Sequence, residues 1–454
     1  IQALLLIALL SAGLGWIIGR RLGSGVSRRL VRQYQRWVLR DETLVLVDAT
    51  GRDLEQALQV FQSTEERFPA IFFRRSFPSV TAEQPSERRE PIAGERLKSE
   101  ASRLASTHRL GRSGEQTERL LRIIDDYESR IKAVVADLNE SLGLEQAVSP
   151  AAEWLLDNSY VVQAHISDFR LNLPRKSTRF LPVLAAESQA AQAPHRFRSE
   201  SAGPTRIEQV ARELVLWTDS RLNRDNIIDF VQAYQSLAPL TIAELWLLPL
   251  MLRFALIEQL QYRAVEIARR QQERELADFW ANRLLHATRR DADQLLLVLA
   301  ELVRETPVLQ RHFAVRLIGR LHDEEAALSA VQNWVEREFD TTLQEVIRQE
   351  QNRQAVDKVS VANGITSLRF LGETDWRDIF ESLSRVDTLL RSDPSGTYAQ
   401  SDFKTRDRCR QAVEEIARLT CRTELDVAAL AVKLAISRGT ARDKEPPLRG
   451  AMPD

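Results

Sequence analysis

The chain has 454 residues, 44% hydrophobic and 28% charged, with a formal net charge of −1, which excludes wholesale disorder and a globally basic nucleic-acid binder. Its 17 glycines and 16 prolines are few for this length, which argues against an all-β protein and for long helices. Two cysteines, Cys409 and Cys421, exclude a disulfide framework and a cysteine-rich metal site, and they suit a reducing compartment.

In chain order, Ile1 to Ile18 read IQALLLIALLSAGLGWII, with only Gln2 and Ser11 polar. Residues 1–19 are just long enough for a transmembrane helix across a core of about 30 Å. Arg20, Arg21, Arg28, Arg29, Arg32 and Arg36 follow at once, so the positive-inside rule puts the bulk of the chain in the cytoplasm, below an inner membrane. A cleavable signal peptide is excluded because the charges follow the apolar run rather than precede it. A buried core helix stays open as the other reading. The chain opens on Ile rather than Met, so further sequence is expected upstream.

Residues 20–75 read as a basic juxtamembrane segment and a small β-α-β piece: a strand at Thr43–Asp48, a helix at Arg52–Thr64 and a strand at Ala70–Phe73. Residues 76–92, with Pro78, Pro85 and Pro91, form a linker. A helical segment spans 93–188. Within it Leu120, Ile124, Tyr127, Ile131, Val134 and Leu138 make one apolar stripe, and Ser149-Pro150 opens a helix that runs to Leu173. A second linker covers 189–204. A helical domain covers 205–437, and residues 438–454 read as a disordered tail.

In that domain Thr241 and Glu244 form a capping box ahead of a short, Pro249-kinked helix, Leu245–Leu252. Leu245, Trp246, Leu248, Leu252 and Leu256 are expected in the core. Separate helices follow at Val265–His286, Asp293–Glu305, Val308–Leu321, Glu324–Phe339 and Leu343–Val356. Val359–Phe370 (VSVANGITSLRF) is β-branched around Asn363-Gly364 and is expected to interrupt the helices. It reads either as a connector or as a docking surface built from Ser360, Thr366, Ser367 and Arg369. Asp393-Pro394-Ser395-Gly396 is a turn. The fold class is thus mainly α: a multi-helix array with one N-terminal transmembrane helix and a small β-α-β piece.

No pattern supports catalysis, so no catalytic, cofactor-binding or metal residue is assigned and no cofactor is expected in the chain. Asp291-Ala292-Asp293 is a D-x-D, which holds a divalent metal in some sugar-nucleotide transferases, but here it opens an apolar-periodic helix, where Asp serves as a cap. Gln33-Tyr34-Gln35-Arg36-Trp37 matches the Q-x-x-R-W of processive glycosyltransferases, yet interfacial Arg and Trp explain the same letters. His108, His165, His195, His286, His312 and His322 lack metal-ligand spacing. No C-x-x-C or P-loop is present.

Three long runs resemble one family. They are SPAAEWLLDNSYVVQAHISDFRLNLP (Ser149–Pro174), LVLWTDSRLNRDNIIDFVQAYQSLAPLTIAELWLLPLMLRFALIEQL (Leu214–Leu260) and VSVANGITSLRFLGETDWRDIFESLSRVDTLLRSDPSGTYAQSDFKTRDRCRQAVEEIAR (Val359–Arg418). In this order they are similar to the helical N-terminal region of bacterial cyclic β-1,2-glucan synthases. The resemblance implies a non-catalytic, membrane-anchored module. It would pack against a glycosyltransferase domain, of the same or an adjacent chain, that polymerises glucose from UDP-glucose. Its partners would then be that domain and the lipid bilayer through residues 1–19, with no nucleic acid. A free-standing inner-membrane adaptor that binds other proteins is the alternative. The resemblance does not place the N-terminal apolar run or the β-α-β piece within the family's common pattern.

Overall fold

A computed structural model describes residues 89–442, apart from 112–115, 144–146, 175–177, 179–180, 186–202, 289–291 and 307. Its helices are α1 (Glu95–Thr107), α2 (Thr117–Gly143), α3 (Pro150–Asp157), α4 (Ser159–Asn172), α5 (Arg206–Trp217), α6 (Arg224–Gln235), α7 (Ile242–Thr288) and α8 (Ala292–Glu305). They continue as α9 (Arg311–Leu321), α10 (Glu325–Phe339), α11 (Leu343–Glu373), α12 (Trp376–Leu383), α13 (Arg385–Leu390), α14 (Thr397–Gln400), α15 (Phe403–Thr420) and α16 (Glu424–Arg442).

Among the described residues there is no strand, only the isolated bridges Leu110–Leu184 and Val183–Thr205, and no helix is long and apolar enough to cross a membrane. The expected fold class is corrected accordingly: the described fold is all-α, with neither a transmembrane helix nor a β-α-β piece. Both of those expectations, and residues 443–454 of the tail expected at 438–454, fall outside the described residues, while 438–442 are helical as the end of α16.

Local signals explain most helix starts. Ser149 Oγ accepts from Ala152 N (3.3 Å) with Pro150 at the first helical position of α3. Thr241 and Glu244 form the expected box at α7, with Thr241 N donating to Glu244 Oε2 at 2.9 Å. The Asp393–Gly396 turn closes with Gly396 at φ +67° and its N–H on Asp393 O at 3.0 Å.

Three expectations about helix extent are corrected. The expected Ser149–Leu173 helix breaks at Asn158, whose Nδ2 donates to Trp154 O at 2.8 Å. The Leu245–Leu252 and Val265–His286 helices are one, since α7 runs for 47 residues through Pro249, about 70 Å at 1.5 Å per residue. Val359–Phe370 is helical throughout, as the C-terminal part of α11. Its Ser360, Val361, Gly364, Ile365, Ser367, Leu368 and Leu371 are buried at three- and four-residue steps. Gly364 serves helix packing rather than a turn, because a Cβ there would lie 2.9 Å from Leu260 Cδ2 of α7.

Two apolar cores result. The first gathers Leu97–Ala268 and Val361–Ala428, from α1 to the N-terminal half of α7 and from the end of α11 to α16. The second gathers Ala277–Val346, from the end of α7 through α8, α9 and α10 to the start of α11. Only α7 and α11 belong to both.

Candidate functional site

The three resembling runs meet one another inside the fold. After α5 the chain turns through Asp219 and Ser220, both non-glycine residues at positive φ (46° and 62°), a sparsely populated conformation that needs outside support. α11 supplies it. Ser360 Oγ lies 2.7 and 2.9 Å from the two carboxylate oxygens of Asp219, and Asn363 Nδ2 donates to Asp219 O at 3.2 Å. Ser367 Oγ donates to Ser220 O at 2.6 Å and accepts from Leu222 N at 2.8 Å. Arg369 Nη2 donates to Asn158 Oδ1 at 2.6 Å, at the α3–α4 break, and reaches Tyr160 Oη at 3.2 Å. Ser360, Ser367 and Arg369 therefore bond within the chain; Ser360 and Ser367 are buried and present no outward surface, while Thr366 and Arg369 are exposed.

A second junction fastens the C-terminal helices. Arg410 is fully buried, and its Nη1 donates to Asp387 Oδ1 at 2.8 Å, where Tyr398 Oη also donates at 2.7 Å. Arg406 Nη2 donates to Glu381 Oε1 at 2.8 Å. The Arg410 guanidinium lies 4.9 Å from the Phe403 ring centre and 5.1 Å from that of Phe380. Trp246, from the second run, stacks on Phe380 at 4.3 Å and meets Phe403 edge-on at 6.1 Å. Trp246 is 38% exposed, which corrects its expected burial: α12 and α15 cover it only in part.

A ladder of buried ion pairs ties α2, α5 and α7. Arg119 pairs with Glu208, Arg212 with Glu208 (2.8 Å) and Glu258 (2.7 Å), and Tyr127 Oη donates to Glu258 Oε1 at 2.5 Å. Burial opposes ionisation of Glu208, but the Arg119 and Arg212 guanidiniums hold its carboxyl below the usual range. Nearby Arg206 pairs with Glu244, and Glu424 Oε2 accepts from Ile242 N at 2.8 Å. Sequence reasoning missed this ladder. The available signal was Glu208 and Arg212 lying within the apolar periodicity of Ile207, Val210, Ala211 and Leu214.

The chemical candidates do not converge. Ala292 begins α8, and Asp291, His195 and Gln33–Trp37 lie outside the described residues. His108 Nδ1 meets Tyr234 Oη at 2.8 Å, and its imidazole is pushed down to about 4 by burial and by Arg206. His312 pairs with Glu273, and the exposed His322 meets Asp323 at 2.7 Å. His165 is buried, while His286 is in the last turn of α7. Cys409 and Cys421 are exposed. Among the described residues no group of three or more His, Cys, Asp or Glu side chains is placed to hold a metal ion. A narrow polar cleft between the two cores is lined by Arg270, Arg274, His312, Glu350 and Asp357, but Arg270 is paired with Asp357 and His312 with Glu273.

No family model matches the sequence. Cyclic β-(1,2)-glucan synthase NdvB of Rhizobium meliloti (strain 1021) is 32% identical over 306 residues, 67% of this chain and 10% of that protein. The chain is related to part of a cyclic β-(1,2)-glucan synthase. It spans about a tenth of the length of that relative. The resemblance read from the three runs stands. Many of the side chains that carry those runs are spent on holding them to one another.

Proposed function

We propose that the chain is a non-catalytic helical module of a cyclic β-(1,2)-glucan synthase, which packs against and positions the domain that polymerises glucose from UDP-glucose. The observation that supports this reading is where the resembling runs spend their polar groups. Ser360, Ser367, Arg369, Asp387, Arg406 and Arg410 bond to other parts of the same module. Side chains held this way build a shape and are not available to a substrate.

The test has two arms. Purified chain given UDP-glucose should release no UDP and form no glucan. A full-length synthase from which the matching stretch is deleted should lose glucan output, and should regain part of it when the chain is supplied separately. Turnover by the chain alone, or normal output from the deleted synthase, overturns the reading.

A further inference from the structure

The hairpin of α15 and α16 has apolar side chains on two sides. One side faces the first core through Arg410, Val413, Ala417, Val427 and Ala428, all buried. The other faces solvent. Leu419 is 74% exposed and lies half a turn round the helix from Arg410, and Ile416 is exposed near it. On α16, Leu430 and Leu434 are exposed one helical turn apart, Leu434 by 55%, and Ile436 is exposed as well. Ala429 and Ala431 are exposed on either side of Leu430, so Val427–Ile436, in which Lys433 is the one charged residue, carries apolar side chains on its outer side as well as on the side that meets the core. Neighbouring exposed aliphatic side chains of this kind mark a face that another surface covers.

The charges around this face indicate what covers it. Lys404, Arg408, Arg418, Arg422 and Lys433 are exposed on the hairpin, against Asp402, Glu415 and Asp426 of the opposite sign, with Asp407, Glu414 and Glu424 half-buried. Aliphatic side chains within a basic rim are the signature of a helix lying in the headgroup layer of an anionic bilayer. A protein partner is less well matched, since leucine is under-represented among interface anchors and this face carries no aromatic residue. The exposed face of α8, with Leu296, Leu297 and Val303, has no comparable basic rim and supports no such reading.

We infer that the outward face of the α15–α16 hairpin is a peripheral binding surface for anionic lipid, seated by Ile416, Leu419, Leu430 and Leu434 and attracted by its exposed arginines and lysines. This inference does not depend on the function proposed above.

The chain supplies its own probe, because its two cysteines both lie on this hairpin and both are exposed. In the full chain carrying Cys409→Ser, a polarity-sensitive dye on Cys421 reports on the hairpin whatever other segments do. Phosphatidylglycerol vesicles should shift its emission to the blue and phosphatidylcholine vesicles should not. Salt at about 1 M, where charges are screened beyond about 3 Å, should reverse the shift. Arg418→Glu with Arg422→Glu should weaken binding by about tenfold or more. Leu430→Asp with Leu434→Asp should abolish the shift. All four side chains are exposed, so the melting temperature of each variant serves as the folding control.

An unshifted dye while the chain still sediments with vesicles overturns the inference. So does an equal shift on both lipids that charge reversal leaves unchanged. A shift that grows with protein concentration in the absence of vesicles overturns it too, in favour of a second copy covering the face.

Discussion

At Gly364 the Leu260 side chain of α7 packs directly on the backbone of α11, and a Cβ there would lie 2.9 Å from its Cδ2. Gly364→Val should cost about 1–3 kcal/mol, the usual penalty for overpacking, read as a lower urea midpoint at unchanged slope. At Arg410 the stake is charge. Arg410→Met removes the buried one of the two cations on Asp387, leaving only the partly exposed Arg391, and should cost up to about 3–5 kcal/mol. Adding Asp387→Leu should recover much of that, because an apolar pair needs no solvation; an equal or larger loss in the double variant would show that Tyr398 and Arg391 depend on the carboxylate.

Glu424 gives a pH signature. Its carboxyl is pushed up to about 7, by burial first and then by Glu414 and Glu244, against the pull of Ile242 N–H and Arg206. The folded chain thus takes the proton more readily than the unfolded one, whose value is near 4.5. Ionised Glu424 therefore costs stability above about pH 7, and the cost is relieved as pH falls toward 4.5. Glu424→Gln should gain about 2 kcal/mol at pH 8, after allowance for partial exposure, and nothing at pH 4. His108 acts in the opposite direction, losing stability as pH falls from 6.5 to about 4, but it cancels in the comparison with the parent chain.

Among the elements, α11 is held by its neighbours. Ser367→Ala would leave Leu222 N–H and Ser220 O without their partner and should cost about 1–3 kcal/mol. Faster hydrogen exchange should appear at Asp219–Leu222 first. This helix also shows the limit of reading from local letters. Val359, Val361, Asn363, Gly364 and Ile365 favour strand and turn, and packing against Leu260 and the Asp219–Ser220 loop overrides that preference. What was legible rested on contacts within a few residues, such as the Ser149 cap, the Thr241–Glu244 box and the stripe of α2. The polar junctions were not legible, because their partners lie far along the chain: Arg410 is 23 residues from Asp387, and Arg119 is 89 from Glu208. Such charges read as solvated faces until the other helix is known. Trp246 failed for the converse reason: its apolar neighbours indicated a core, and only α12 and α15 decide how much of the ring is covered.

For the molecule as a whole, the two cores predict two levels of stability. The second is the smaller, and between the two lies the polar stretch of α7 with Arg269, Arg270, Gln271, Gln272, Glu273 and Arg274. Trp280 is buried in the second core beneath the Arg283 guanidinium, 5.1 Å from its ring centre. Trp280→Ala should cost about 3–5 kcal/mol there. Hydrogen exchange should accelerate across α8, α9 and α10 while α2, α5 and α6 keep their protection. Uniform acceleration would mean that the two cores open as one.

The order of the cores along the chain also governs how the protein is made. The first core is built from residues 97–268 and 361–428, with the whole of the second lying between them. A ribosome adding about 5–20 residues per second delivers the intervening stretch over several seconds, with the first half of the larger core already outside. During that interval Leu260 and the Asp219–Ser220 loop wait for a helix that has not yet been synthesised. The nascent chain is then a ligand for anything that recognises exposed apolar surface, and a chaperone is most needed just before Ser360 emerges.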